Sequence, residues 1–310
     1  MTELSVIIPY CNEYPQNVFT IQNIAQELRD RVDFEIIAVN NFCDETAAQG
    51  REEDAGCALI EASATGNKWL KSIRYTDKLS HWQAKNAAVS ASSGKFLYFV
   101  DAHCIVGRDS LYEMFQYYQE HHERLNGTIA LPLTYKILEW RRLIYKLACE
   151  PEHGVYHYSF TSFRPSDAPY QVPCMSACGV MMTRQLYDEF GGWPVELGIY
   201  GGGEHFLNFT LAVLGKTVNI FPTDRPLHHH GEKRGYHWNG DDYTRNRIIA
   251  TYMFGGADLA RKFTATRKGN RQVLNQMVEE VIDKCADHRA MIKQNQAMSI
   301  EKWYSNWTDI

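Results

Sequence analysis

The chain has 310 residues, a formal charge of −5 and a hydrophobic fraction of 45%. That length and apolar content suit one large α/β domain or two small ones. The acidic balance excludes a global electrostatic footprint for nucleic acid but not a local basic patch, and no apolar stretch reaches the roughly 20 residues of a bilayer span. Residues 4 to 10 read as a strand, and residues 14 to 31 carry Val18, Ile21, Ile24, Ala25 and Leu28 at helical spacing. Residues 34 to 39 form a second strand, followed by a loop with Asn40, Asn41 and Asp44. Residues 57 to 60 and 71 to 75 are weaker strand candidates. Residues 81 to 92 read as a helix with Gly94 as its stop. Phe96-Leu97-Tyr98-Phe99-Val100 then reads as a buried strand running into Asp101 and His103. A helix over 107 to 124 and an extended segment over 127 to 135 come next. Residues 136 to 170 have no clean period, and residues 191 to 203 are rich in glycine. A helix from about His205 to Leu214, a strand over 217 to 221 and a helical tail from Asp242 complete the pattern. Such alternation implies a mostly parallel sheet flanked by helices. The simplest partition is a catalytic domain over 1–240 and a helical extension over 241–310 packed on it.

The eight cysteines are scattered, several within apolar runs, and Cys174 with Cys178 lacks a second pair at zinc-site spacing. Met1-Thr2-Glu3-Leu4 leads straight into a strand without the parts of a signal peptide. These features give a soluble, cytoplasmic protein with reduced thiols as the expectation. The Asn-x-Ser/Thr triplets at Asn126, Asn208 and Asn306 then read as chance.

The chemistry concentrates at strand ends. Residues i and i+2 of an extended segment point to the same side, so Asp101 and His103 can hold one divalent cation. They sit at the carboxyl end of a strand, where open α/β sheets place ligands, and a cation there can clamp a diphosphate. Pro9-Tyr10-Cys11-Asn12-Glu13 and Asn40-Asn41 end the two preceding strands.

Four segments in order, SVIIPYCNE, FEIIAVNNFCDET, KNAAVSASSGKFLYFVDAHC and YGGGEHFLNFTLAVLGKTVNIFP, span roughly residues 4 to 230. Together they resemble the nucleotide-sugar-binding core of GT-A glycosyltransferases of the family 2 type, with motifs closest to polypeptide N-acetylgalactosaminyltransferases. The resemblance implies a Rossmann-like GT-A fold and metal-dependent sugar transfer, with retention, from a nucleotide-diphosphate donor, best read as UDP-linked. It implies a cation, Mn²⁺ or Mg²⁺, held by Asp101, His103 and a histidine beyond the last core strand. Counting from Phe221-Pro222, His228 takes that position, while His229 and His230 have no individual support. Donor contacts are expected from Pro9, Tyr10, Asn12, Glu13, Asn41, Asn86, Asp101 and Gly202. Asn41 stands where the family usually has an acid. Trp238, in a Gly-flanked basic and aromatic loop over 231–242, is expected to cover the sugar as part of a lid.

Glu204 follows Gly201-Gly202-Gly203, with His205 where the family has Asn or Asp, so its register stays open by one residue. The resemblance implies that Glu204 contacts the sugar or the acceptor hydroxyl. An inverting mechanism would instead need a carboxylate base, with Glu204 or Asp242 as nominees. Asp241 and Asp242 also suit the N-cap of the helix after them. Acceptor contacts are expected from residues 135 to 170, including Trp140, Arg141, Arg142, His153, Tyr156, His157 and Tyr158, with an amphipathic helix from 138 to 147. Arg245, Arg247, Arg261, Lys262, Arg267, Lys268 and Arg271 form a basic cluster that could track phosphates or be a solvated helix face. The secretory enzymes it resembles are expected to have a membrane anchor and a lectin-like domain, and without a segment of either kind in this sequence the expectation is a soluble bacterial or viral protein. An envelope glycan, a protein Ser/Thr and a hydroxymethylated base in viral DNA all stay open as acceptors. The alternative from another class is an idle nucleotide-sugar-binding scaffold. A nucleotidyltransferase is disfavoured, because residues 9 to 13 lack a Gly-rich loop with Lys or Arg.

Overall fold

The computed structural model describes residues 2–135, 141–230 and 234–308. The first half runs β1 (Leu4–Tyr10), α1 (Gln16–Leu28), β2 (Phe34–Asn40), α2 (Asp44–Ala48), α3 (Ala55–Gly66), β3 (Leu70–Arg74), α4 (His81–Ala91), β4 (Phe96–Phe99), β5 (Cys104–Val106) and α5 (Ser110–Leu125). There follow β6 (Gly127–Ala130), β7 (Leu133–Thr134), β8 (Leu143–Leu147), β9 (Tyr158–Ser162), β10 (Tyr170–Val172), β11 (Val180–Thr183), α6 (Arg184–Phe190), α7 (Gly203–Val213), β12 (Thr217–Ile220) and β13 (Leu227–His229). Four helices close the chain: α8 (Gly240–Ala265), α9 (Arg271–Lys284), α10 (Ala286–Gln294) and α11 (Ile300–Thr308).

Among the described residues an eight-stranded sheet has the order β10-β12-β6-β11-β4-β1-β2-β3, and a five-stranded sheet has the order β5-β13-β7-β8-β9. β1, β2 and β4 are nearly continuous apolar runs because parallel strands are covered on both faces. The parallel register pairs Leu4 with both Phe34 and Phe96. The chain therefore leaves β1, β2 and β4 at one edge, which is where the polar strand-end residues collect. No helix among the described residues is long and apolar enough to cross a membrane.

Several elements differ from the sequence reading. Residues 57 to 60 lie within α3, whose N-cap Asp54 accepts the Gly56 amide at 2.9 Å. Cys57 and Ile60, three apart, face the core, and a four-residue apolar run cannot distinguish that from a strand. The helix expected over 138–147 is, from Leu143 on, strand β8 paired antiparallel with β9; residues 138–140 lie outside the described residues. Pairing across the hairpin satisfies this backbone, and that partner is invisible to local periodicity. The N-cap of α8 is Asn239, whose Oδ1 accepts the Asp242 amide at 2.8 Å, and Asp241 and Asp242 instead occupy the first turn. The helical tail packs on α7, with Phe254 against Phe209 at 5.1 Å between ring centroids. Much of the basic cluster is engaged there. Arg261 bridges Glu279 at 2.8 Å, Arg245 bridges Glu280 at 3.1 Å, Arg271 donates to the Thr264 carbonyl and Arg247 is buried.

Candidate active site

Asp101 and His103 emerge just beyond β4. β13 runs antiparallel to β5 with His229 opposite Cys104, and the His230 amide donates to the His103 carbonyl at 3.0 Å. This register brings the His229 ring to the pair. His229 Nε2 lies 2.9 Å from His103 Nε2 and 3.7 Å from Asp101 Oδ2. Potential ligand atoms of Asp101, His103 and His229 all lie within 4.8 Å of one another. His229, and not the expected His228, is therefore the histidine whose ring joins Asp101 and His103 as a candidate ligand. Adjacent side chains of a strand leave opposite faces, so a miscount of one residue selects the wrong face.

The donor set fits a divalent cation. Glu13 Oε1 sits 2.6 Å from His103 Nδ1, which leaves His103 Nε2 directed at His229. One carboxylate and two imidazoles then converge, a mixed O/N set compatible with Mn²⁺. Burial opposes charge on His103, yet the hydrogen bond and charge of Glu13, then Asp101, raise its pKa above the ordinary imidazole value. Burial would likewise push the Asp101 carboxyl up, but Lys85, then His229 and His103, hold it well below the usual range.

Lys85 went unnoticed in the sequence. Its side chain is 1% exposed, and its Nζ lies 3.6 Å from Asp101 Oδ1. The ammonium also sits over the rings of Trp82 at 4.7 Å and Trp193 at 5.6 Å. A lysine one turn after a tryptophan, on a helix face otherwise made of small and apolar residues, was the only available signal. Gly203 permits the crowding: a Cβ there would lie 2.2 Å from the Trp82 ring. Next to Lys85, burial and then the lysine charge push His81 down to about 3, so it is neutral.

A cleft of about 360 Å³ opens beside Asp101, with His229, Lys85, Tyr158 and Glu204 among its lining residues. Glu204, in the first turn of α7, accepts from Tyr158 Oη at 2.5 Å, Ser176 Oγ at 2.8 Å and the Ala177 amide at 3.1 Å. Tyr145 and Tyr158 stack at 4.5 Å on the hairpin wall. Behind Glu204 the His157 and His205 rings stack, with Nδ1 of the first 2.8 Å from Nε2 of the second. Burial, then Arg247, pushes His157 down to about 4 and His205 well below its ordinary value, so the pair is uncharged at neutral pH. Gly202 also lines the cleft, at φ 75°, with room for no side chain against the Asn246 carbonyl. Asp242 is not among the lining residues.

The other expected donor contacts divide into two groups. Pro9, Tyr10, Glu13 and Asn41 line a second, smaller cavity of about 50 Å³ that shares Asp101, His81 and Arg234 with the first region. Asn12 and Asn86 are engaged structurally. Asn12 donates to the Glu52 carbonyl and accepts the Asp54 amide. Asn86 binds both the carbonyl and the amide of Trp193 and accepts from Tyr187. Asn41 lines the cavity, but its amide also ties the loop at 75–80 through Tyr75, Lys78 and Ser80.

The loop over 234–238 lies across this small cavity, while residues 231–233 fall outside the described residues. Tyr236 packs on Cys11, Cys43, Leu79 and Ile199. A Cβ at Gly235 would come 1.8 Å from the Cys11 carbonyl, so only glycine permits that approach. Arg234 donates to Tyr236 Oη at 2.9 Å and covers the Tyr200 ring at 4.4 Å. Trp238 packs at a tilt against Tyr200, with ring centroids 4.4 Å apart, and does not line the cleft beside Glu204.

A protein-family model described as glycosyl transferase family 2 matches residues 5–191. The chain is 24% identical over 168 residues to "Putative polypeptide N-acetylgalactosaminyltransferase 13" of Drosophila melanogaster, covering 51% of this chain and 29% of that one. It is 20% identical over 258 residues to "Polypeptide N-acetylgalactosaminyltransferase 14" of Homo sapiens, covering 78% of this chain and 44% of that one. The chain thus spans less than half the length of these two relatives. Its fold is similar to that of GalNAc-T7 crystallised with UDP, GalNAc and Mn²⁺, at a TM-score of 0.68 and 14% identity over 98% of this chain and 56% of that one. It is also similar to S. aureus TarS 1-349 in complex with UDP, at a TM-score of 0.55 and 12% identity over 92% of this chain and 72% of that one. The match over residues 5–191, on a sheet whose strand-end loops converge as described, places this chain in glycosyl transferase family 2, as a glycosyltransferase of GT-A fold.

Proposed function

We propose that this glycosyltransferase moves a sugar from a UDP-linked donor to an acceptor hydroxyl with the help of a divalent cation, Mn²⁺ or Mg²⁺. The observation that carries this reading is the convergence of Asp101, His103 and His229, with buried Lys85 against the same carboxylate, at a cleft that ends on Glu204. Residues 1–240 would form the donor-binding and catalytic unit and 241–310 its helical extension.

A bound cation would supply Lewis-acid stabilisation of the leaving diphosphate. Lys85 adds a fixed positive charge that needs no reorganisation as negative charge develops. Arg234, on the covering loop, would bring a second positive charge to the donor only after that loop has moved. The cavity of about 50 Å³ beneath Tyr236 is too small for a nucleoside, so that ring and Arg234 swing out as the donor enters. Asn41 borders the space this opens. Both oxygens of Glu204 already accept hydrogen bonds, which supports a sugar-positioning role over that of a free base. With Asp242 away from the cleft, this favours transfer with retention, the acceptor approaching on the leaving-group face.

The test is a screen of UDP-, GDP- and TDP-sugars for donor hydrolysis and transfer, with and without Mn²⁺. Metal-dependent turnover of a UDP-sugar, abolished by Asp101→Ala, is the expected result. Nucleotide binding without turnover would instead favour an idle scaffold, and full activity of Asp101→Ala would refute the site. NMR of the product reads the anomeric configuration, and an inverted product would overturn retention. Mass spectrometry of host DNA, proteins and envelope glycans separates the three acceptor classes.

A further inference from the structure

We infer that Glu13 is a positioning residue for the cation site, fixing the His103 ring so that Nε2 faces the metal. The inference rests on the metal-dependent reading above and adds a residue that does not itself ligate. The Glu13 side chain is 14% exposed and its two oxygens have different partners. Oε1 lies 2.6 Å from His103 Nδ1, and Oε2 accepts the Cys11 amide at 3.2 Å. The carboxylate is thus tied to the end of β1 on one side and to the imidazole on the other.

The chemistry follows from the two ring nitrogens. A carboxylate accepts and does not donate, so Nδ1 must carry the proton. Nε2 is then the atom available as a ligand, and it is the atom that meets His229 Nε2 at 2.9 Å, with the two rings crossed at 84°. Without Glu13 the ring could rotate about χ2 or present the other tautomer, and each alternative removes a lone pair from the cation position. A carboxylate behind a ligating imidazole also raises the basicity of the ring. The second ligand strand is held by a separate contact, the His230 amide on the His103 carbonyl. Glu13 therefore governs the ring and the backbone governs the register.

The test is a titration of free Mn²⁺ by EPR, without donor, on wild type, Glu13→Ala and Glu13→Gln. Loss of such a partner typically weakens metal binding by about 10- to 100-fold, which is expected for Glu13→Ala. Glutamine offers a carbonyl to Nδ1–H, so Glu13→Gln is expected to recover most of that loss, to within about fivefold of wild type. UDP affinity measured by calorimetry without metal should be the same in all three. Wild-type Mn²⁺ affinity in Glu13→Ala overturns the inference, as does an equal loss in both variants. Weaker metal-free UDP binding would make Glu13 a nucleotide contact and also overturn it. A wild type that binds no Mn²⁺ refutes the cation reading itself, which distinguishes that failure from the failure of Glu13.

Discussion

Replacing Lys85 by methionine tests how the cleft handles charge. The ammonium is 3.6 Å from Asp101 Oδ1 and almost fully enclosed. At that range two unit charges in an effective dielectric of about 20 attract by about 4–5 kcal/mol. Most of that offsets the desolvation of the two groups, so the pair itself adds little net stability. Methionine keeps the aliphatic stem and makes favourable sulfur contacts with aromatic rings, here Trp82 and Trp193. Asp101 retains His229 and His103 beside it. Removing one partner of a fully buried pair costs about 3–5 kcal/mol, but Asp101 is 30% exposed, so a loss of about 1–3 kcal/mol in urea is expected, with the fold kept. The donor diphosphate loses a charge-assisted hydrogen bond worth about 1.5–3 kcal/mol net. The expected fall in kcat/KM for the UDP-sugar is roughly 10- to 100-fold at unchanged fold. The assay pairs initial rates at saturating Mn²⁺ with urea denaturation. An intact Lys85→Met protein with wild-type kcat/KM would refute the argument that this cation faces the donor.

Three further outcomes are expected. His229→Ala should weaken Mn²⁺ binding by more than about tenfold while His228→Ala leaves it near wild type, read by EPR; the reverse order would restore His228 as ligand. Gly203→Ala drives a methyl to 2.2 Å from the Trp82 ring, which is wedged beside Trp193, and should cost about 1–3 kcal/mol by thermal denaturation; an unchanged melting temperature would show that the ring yields freely. Burial pushes the Glu35 carboxyl up, but Lys71 at 2.6 Å, with Ser93 and Ser5, brings it down to about 2. A depressed carboxyl contributes stability that is present above its ordinary pKa and lost as pH falls toward 2. Since Lys71 is solvent-exposed, the contribution is discounted to about 2 kcal/mol, and Glu35→Gln should flatten the loss of stability between about pH 4.5 and 2. An unchanged acid profile in urea melts would refute that assignment.

Some of this molecule was legible in one dimension. The apolar runs at β1, β2 and β4 announce buried parallel strands, because strands covered on both faces need no polar positions. Each run stops at a polar residue, and the i, i+2 spacing of Asp101 and His103 already puts both on one side. Glu204 after three glycines could be found for the same reason, as a carboxylate at a helix start where the backbone must approach its neighbours. Local pattern was a poorer guide where pairing decided the outcome. Residues 143–147 have an amphipathic look, and only the β9 partner makes them a strand. The four-residue run at 57–60 is compatible with either periodicity until the packing of α3 chooses.

The roles of single polar residues were least visible, since a side chain's partner lies far along the chain. Asn12 and Asn86 looked like donor contacts and are engaged in holding Glu52, Asp54 and Trp193. Lys85 carries no motif and meets Asp101, while Tyr158, expected at the acceptor, meets Glu204. Sequence by itself determined the fold class and the strand end on which the chemistry sits, because hydrophobic periodicity is a local property. Tertiary structure alone decided which of three consecutive histidines joins Asp101 and His103. The pairing of β13 with β5 sets which face each ring leaves from, and a shift of one residue exchanges those faces.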